Sequence, residues 1–100
     1  MIDLTLIVGC DWDDGNAHKS IDKHSVSQPE AEQVFIDGKL FLSEDTRHSG
    51  SEARYHALGQ TLDRRRLHVT FTLRRNESFI RVISARDMNR KERERYEEKA

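Results

Sequence analysis

Between residues 52 and 85 apolar and polar side chains alternate with a period of two, the repeat of a strand with one buried face. Three strands are predicted there, over about 52–60, 66–73 and 78–85, with turns at Asp63-Arg64 and Asn76-Glu77. Links this short predict antiparallel hairpins. Earlier in the chain Leu4, Leu6 and Val8 alternate with Thr5 and Ile7, which predicts an opening strand between Met1 and Trp12. Asp11, Asp13 and Asp14 then offer caps and first-turn charge for a helix over about 15–23. Ser27-x-x-Glu30, with Pro29 in the first turn, is a capping-box pattern that starts a second helix over about 29–37, burying Ala31, Val34 and Phe35. Asp37-Gly38 turns the chain into a short strand at Leu40-Phe41-Leu42, and residues 43–51 read as a polar loop. A charged helix from about residue 88, capped by Asp87, closes the chain, with Met88 and Tyr96 as its large apolar anchors. The fold class is α+β, one domain over residues 1–100: a single antiparallel sheet carrying two helices from the N-terminal half and one C-terminal helix.

Composition narrows this picture. Hydrophobic and charged residues each make up 35% of the chain, so the core is lean for its length. No apolar run approaches the roughly 18 residues of a membrane span, so a soluble, cytoplasmic protein with no membrane partner is expected. Cys10 is the sole cysteine, which rules out an internal disulfide, and it reads as a small buried hydrophobe on the first strand. Charge is uneven: residues 1–63 hold 5 Lys/Arg against 12 Asp/Glu, net −7, and residues 64–100 hold 12 against 6, net +6. Such asymmetry fits a basic surface for nucleic acid, an acidic partner, or a helix face laced with its own ion pairs, such as Arg90 with Glu94 and Arg93 with Glu97.

The period of two also sorts the chemistry. Glu52, Arg54 and His56 share one face, opposite Ala53, Tyr55 and Ala57. His68, Thr70 and Thr72 share the next polar face, and Arg81 stands apart from Ile80, Val82 and Ser84. If those faces coincide, a carboxylate, two or three histidines and two arginines meet on one side of the sheet. RNA carries its own nucleophile in the 2′-hydroxyl, so a base, an acid and cations for the phosphorane suffice to cut it. The plainer reading is a solvated sheet face. His18, His24, His48, His56 and His68 show neither helical i, i+4 pairing nor cysteine partners, so no metal and no cofactor are expected. No Gly-rich phosphate loop and no GxSxG is present, which leaves nucleotide hydrolysis and acyl transfer without support.

Longer motifs add a resemblance. Trp12-Asp13, Lys23-His24-x-Val26, Glu30-Ala31-x-x-Val34-Phe35-x-Asp37, Asp45-x-x-His48-Ser49, Glu52-x-Arg54 and Gly59 occur in order. They are followed by Arg81-x-Ile83-Ser84-Ala85-Arg86 and Arg90-x-Glu92-Arg93-x-x-Tyr96-Glu97. Over about residues 10–97 this resembles the BrnT toxins of bacterial type II toxin–antitoxin modules. The resemblance implies a RelE-like fold and a ribonuclease that blocks translation. It also implies a BrnA-type ribbon-helix-helix antitoxin, through which alone the module would contact DNA. The chain departs from the family pattern at Asn16, Ser20 and Ser25, where lysine, asparagine and glycine are expected.

The candidate catalytic residues are therefore Glu52, Arg54, His56 and Arg81, and the candidate RNA-holding residues are Lys23, His24, Thr72, Arg86, Arg90 and Arg93. A second reading is a non-enzymatic module whose basic C-terminal helix docks on nucleic acid or an acidic protein. Glu52 separates the two, since a carboxylate repels phosphate and belongs there only for a role in chemistry or for a salt bridge. The sequence leaves both open.

Overall fold

A computed structural model describes residues 2–47, 50 and 52–99. Met1 of the predicted opening strand, and His48, Ser49 and Ser51 of the predicted loop, lie outside the described residues. Five strands form one sheet: β1 (Gly9–Cys10), β2 (Phe41–Asp45), β3 (Arg54–Gln60), β4 (Arg66–Arg74) and β5 (Phe79–Asp87), in the order β1-β5-β4-β3-β2. Among the described residues three α-helices accompany the sheet, α1 (Lys19–His24), α2 (Gln28–Val34) and α3 (Arg90–Lys99). No helix among the described residues is long and apolar enough to cross a membrane.

The sheet is mixed, which corrects the purely antiparallel expectation. The strands β2 to β5 pair antiparallel, as their short links require, but β1 runs parallel to β5 with Gly9 opposite Phe79 and Cys10 opposite Ile80. No hairpin joins β1 to a neighbour, so loop length carried no information on its direction. The opening strand is also shorter than predicted. Asp3 accepts the Thr5 amide at 3.0 Å and winds Leu4–Leu6 into a 3-10 turn, leaving Leu6 and Val8 exposed. Cys10 is half-buried against the core, and burial, with Glu32 nearby, pushes its thiol up to about 11.

Helix boundaries moved for local reasons. The Asp13 carbonyl takes the Asn16 and Ala17 amides and its carboxylate takes the Gly15 amide, so residues 13–17 coil as a turn and α1 starts only at Lys19. It stops at Ser25, whose φ of 56° is left-handed. A glycine would hold that conformation without strain. The Ser27–Glu30 capping box forms as predicted and α2 runs to Val34. For α3 the box is built by Asn89 and Glu92, each accepting the other's amide at 2.9 Å, and Asp87 instead ends β5.

Both N-terminal-half helices pack on one face of the sheet. Val26, Ala31 and Val34 meet Ala57, Leu67, Val69, Phe71, Ile80, Val82 and Ala85 there, all essentially inaccessible to water. Gly59 permits the approach, since a Cβ there would come 2.8 Å from Val34 Cγ1. Beyond the two residues of β1 the edge of β5 would be open, and two side chains close it. Asn16 Nδ2 donates to the Val82 carbonyl at 2.9 Å, and Ser20 Oγ accepts the Ala85 amide at 2.8 Å. Two positions that depart from the BrnT pattern thus serve as backbone plugs.

One irregularity decides the other face. Thr70 pairs with Ser84 and Phe71 with Val82, which leaves Ile83 as an extra residue in β5. The bulge moves Ser84 to the side of Arg81, away from Ile80 and Val82 where simple alternation had set it. It also lets Arg81 and Arg86, five residues apart, stand on the same face, opposite Thr72 and His68 respectively.

Candidate functional site

The face turned away from α1 and α2 is organised as successive rows across the strands. One row reads Phe41, Leu58, His68 and Arg86, and α3 lies over this end through Met88 and Tyr96. The next reads Ser43, His56, Thr70 and Ser84. The third brings Asp45 beside Arg54 and Thr72 beside Arg81. Below that row a cleft of about 270 Å³ opens, lined by Glu52, Arg54, Thr72, Arg74, Arg81 and Ile83.

Arg81 is already occupied. Its two terminal nitrogens donate to the two oxygens of Asp13 at 2.8 and 3.0 Å, the forked geometry in which arginine also grips phosphate. This pairing holds the Asp13 carboxyl below the usual carboxylate range and the guanidinium above its ordinary value. Glu52 pairs at 3.2 Å with Arg74, which stands on the adjacent strand β4. Thr72 gives its hydroxyl to the Ala53 carbonyl at 2.7 Å, which ties the approach to β3 onto β4.

The histidines form a separate group. His56 bridges the buried Asp45 carboxylate, 2.9 Å from Nε2, and the Thr70 hydroxyl, 3.1 Å from Nδ1. A carboxylate can only accept, so Nε2 donates to Asp45, and in the neutral ring Nδ1 accepts from Thr70. Asp45 also accepts the Arg47 amide at 3.0 Å. The His68 ring lies 4.8 Å from that of His56. Burial pushes the His68 imidazole down to about 4, and Arg86 and His56 push it the same way against Glu92. Among the described residues no three His, Cys, Asp or Glu side chains gather in a way that would hold a metal ion.

The ten sequence candidates therefore divide. Glu52, Arg54, Thr72 and Arg81 line one cleft. His56 sits one row further along β3, on the same face. Arg86 is gripped by Glu92 through two bonds of 2.8 and 3.0 Å under the start of α3. Arg90 is exposed and pairs with Glu94 as predicted, whereas Arg93 reaches the Met88 carbonyl and Glu97 pairs with Arg66 instead. Lys23 and His24 stand exposed on the last turn of α1, where the His24 carbonyl takes a bond from Arg65, and neither lines the cleft.

Asp13, Asp45 and Arg74 were missed. For Asp45 and Arg74 a signal existed. Arg74 continues the period of two from Thr72, and Ser43 and Asp45 continue it from Phe41 in what was read as loop. Asp13 is brought to Arg81 by a contact spanning 68 positions, for which periodicity offers no hint.

Residues 12–92 match the family model described as the ribonuclease toxin, BrnT, of type II toxin-antitoxin system. No curated protein matches the chain.

Proposed function

The chain belongs to the BrnT family of ribonuclease toxins of type II toxin–antitoxin systems, and from that premise we propose a RelE-like, metal-independent endoribonuclease that inhibits translation and is silenced by a BrnA-type ribbon-helix-helix antitoxin. The observation that carries this reading is the cleft itself, where Arg54, Arg74 and Arg81 surround the Glu52 carboxylate. A phosphodiester entering it meets a forked donor in Arg81, which exchanges Asp13 for the phosphate. Glu52 takes the proton of the 2′-hydroxyl. The freed oxygen attacks phosphorus, Arg54 and Arg81 steady the charge on the phosphorane, and the bond to the 5′-oxygen breaks. The proton on Glu52 passes through solvent to that oxygen, while His56, whose two ring nitrogens are taken by Asp45 and Thr70, holds the next row of the face in place. The products are a 2′,3′-cyclic phosphate and a 5′-hydroxyl. DNA enters only through the antitoxin.

Pure protein incubated with naked RNA in EDTA tests the chemistry. Cuts ending in 2′,3′-cyclic phosphate are expected. Activity that vanishes in EDTA and returns with Mg²⁺ or Zn²⁺ overturns metal independence, and co-expression with a neighbouring ribbon-helix-helix protein that fails to restore growth overturns the partner.

A further inference from the structure

A second depression, of about 260 Å³, lies on the same sheet face beside the histidine row. Leu58 and Phe41 give it an apolar floor, the His56 and His68 rings form its wall, and Ser43 from β2 with Glu92 and Arg95 from α3 edge it, the Glu92 carboxylate being gripped by Arg86. We propose that this pocket takes a nucleobase of the bound RNA strand, next to the phosphate held in the arginine cleft. The inference rests on the ribonuclease reading and extends it to base preference.

Three observations carry it. Position comes first: Arg54 and His56 are two residues apart on one strand face, roughly 7 Å, which suits a base and the phosphate beside it. Lining comes second. Two imidazoles tilted by 38° with their centroids 4.8 Å apart, a phenyl ring and a leucine put ring and apolar surfaces into a slot that is otherwise polar, and bases stack on such rings whatever their sequence. The third is an unpartnered atom. His68 Nδ1 is buried with no hydrogen-bond partner, and a buried polar atom without one is costly. Nδ1 has no exposed surface in the free protein, so a base reaches it only when the His68 ring turns, and its polar edge would then supply the missing bond. His68 stays neutral near pH 7, so it recognises by hydrogen bonding rather than by charge.

The test uses short 2′-fluoro oligonucleotides, which cannot be cut at a 2′-hydroxyl, as homopolymers of each base and as an abasic strand of equal length. Affinity for the full chain is measured by fluorescence anisotropy. At least one base should bind about tenfold more tightly than the abasic strand. Ser43→Phe, at an exposed strand position, fills the pocket mouth and should erase that difference while leaving abasic binding within about twofold. His68→Phe keeps the ring and removes Nδ1, so it should keep the gain over the abasic strand and flatten the ranking among bases. Equal binding of abasic and base-bearing strands overturns the proposal, as does a Ser43→Phe loss that is the same for both or an absence of binding to every strand. Cleavage mapping on the matching RNA separates the two readings. Base-dependent binding without cuts leaves the pocket standing and removes the ribonuclease, whereas cuts without base-dependent binding remove the pocket alone.

Discussion

Arg81 holds a carboxylate in the fork where a phosphate is proposed to bind. Replacing it by lysine keeps the charge and loses the fork, so single-turnover cleavage should fall on the order of 10²-fold while RNA binding changes little. Arg90→Ala, at a side chain 86% exposed, should cost less than about threefold in the same assay. Equal losses in the two variants would make Arg81 a structural residue. Asp13→Asn removes the competing charge, and RNA should then bind several-fold more tightly. His68 sets a pH response. The folded ring stays neutral down to about 4, while the unfolded ring protonates near its ordinary 6.5, so unfolding takes up a proton between those values. Stability must fall as pH drops through that window. Urea unfolding at pH 7 and pH 5 should show wild type losing on the order of 1–2 kcal/mol that His68→Phe retains.

At the scale of elements, Arg65 fastens three of them. It grips Asp87 at the end of β5 through two bonds, reaches Glu30 in the first turn of α2, and donates to the carbonyls of His24 and Ser25 at the end of α1. Arg65→Met should destabilise by about 2 kcal/mol, because the last carbonyls of α1 and two carboxylates lose their donor together. A chemical-denaturation midpoint unmoved by this change would show the clamp to be ornamental. Elements with a local signature were legible beforehand: the three long strands, the Ser27–Glu30 box and the polar faces of β3 and β4. Part of what escaped has no local signature. Ile83 looks like any apolar strand residue, and its bulge is defined by the partner strand. The direction of β1 depends on a neighbour about seventy positions away in sequence, opposite Phe79. The Asn89 cap was missed because Asp87, two residues earlier, offers the same chemistry. The cleft was half legible for the same reason: Glu52, Arg54 and Thr72 follow from alternation, while the Asp13 that fills Arg81 comes from outside the sheet.

Over the whole molecule, the acidic first part and basic last part of the chain are folded into one another. Arg65 meets Glu30, Arg74 meets Glu52, and Arg81 meets Asp13, each pair joining a basic residue beyond position 63 to an acidic one before it. Other arginines are answered within the last part, Arg66 by Glu97, Arg86 by Glu92 and Arg90 by Glu94. The protein therefore works as an ion exchanger whose fixed cations arrive already loaded. An RNA strand that docks must displace a tethered carboxylate, and that anion stays in place to hold a cation from solution. Part of the counterion release that normally drives such binding is handed back. The fall of log K with log salt should accordingly be shallower than about 0.7 per phosphate contacted. In Asp13→Asn one exchange site is unloaded, and the slope should steepen by up to about that amount for a single phosphate. A titration between low and moderate salt in which the two proteins give parallel lines would mean that Arg81 never trades its partner.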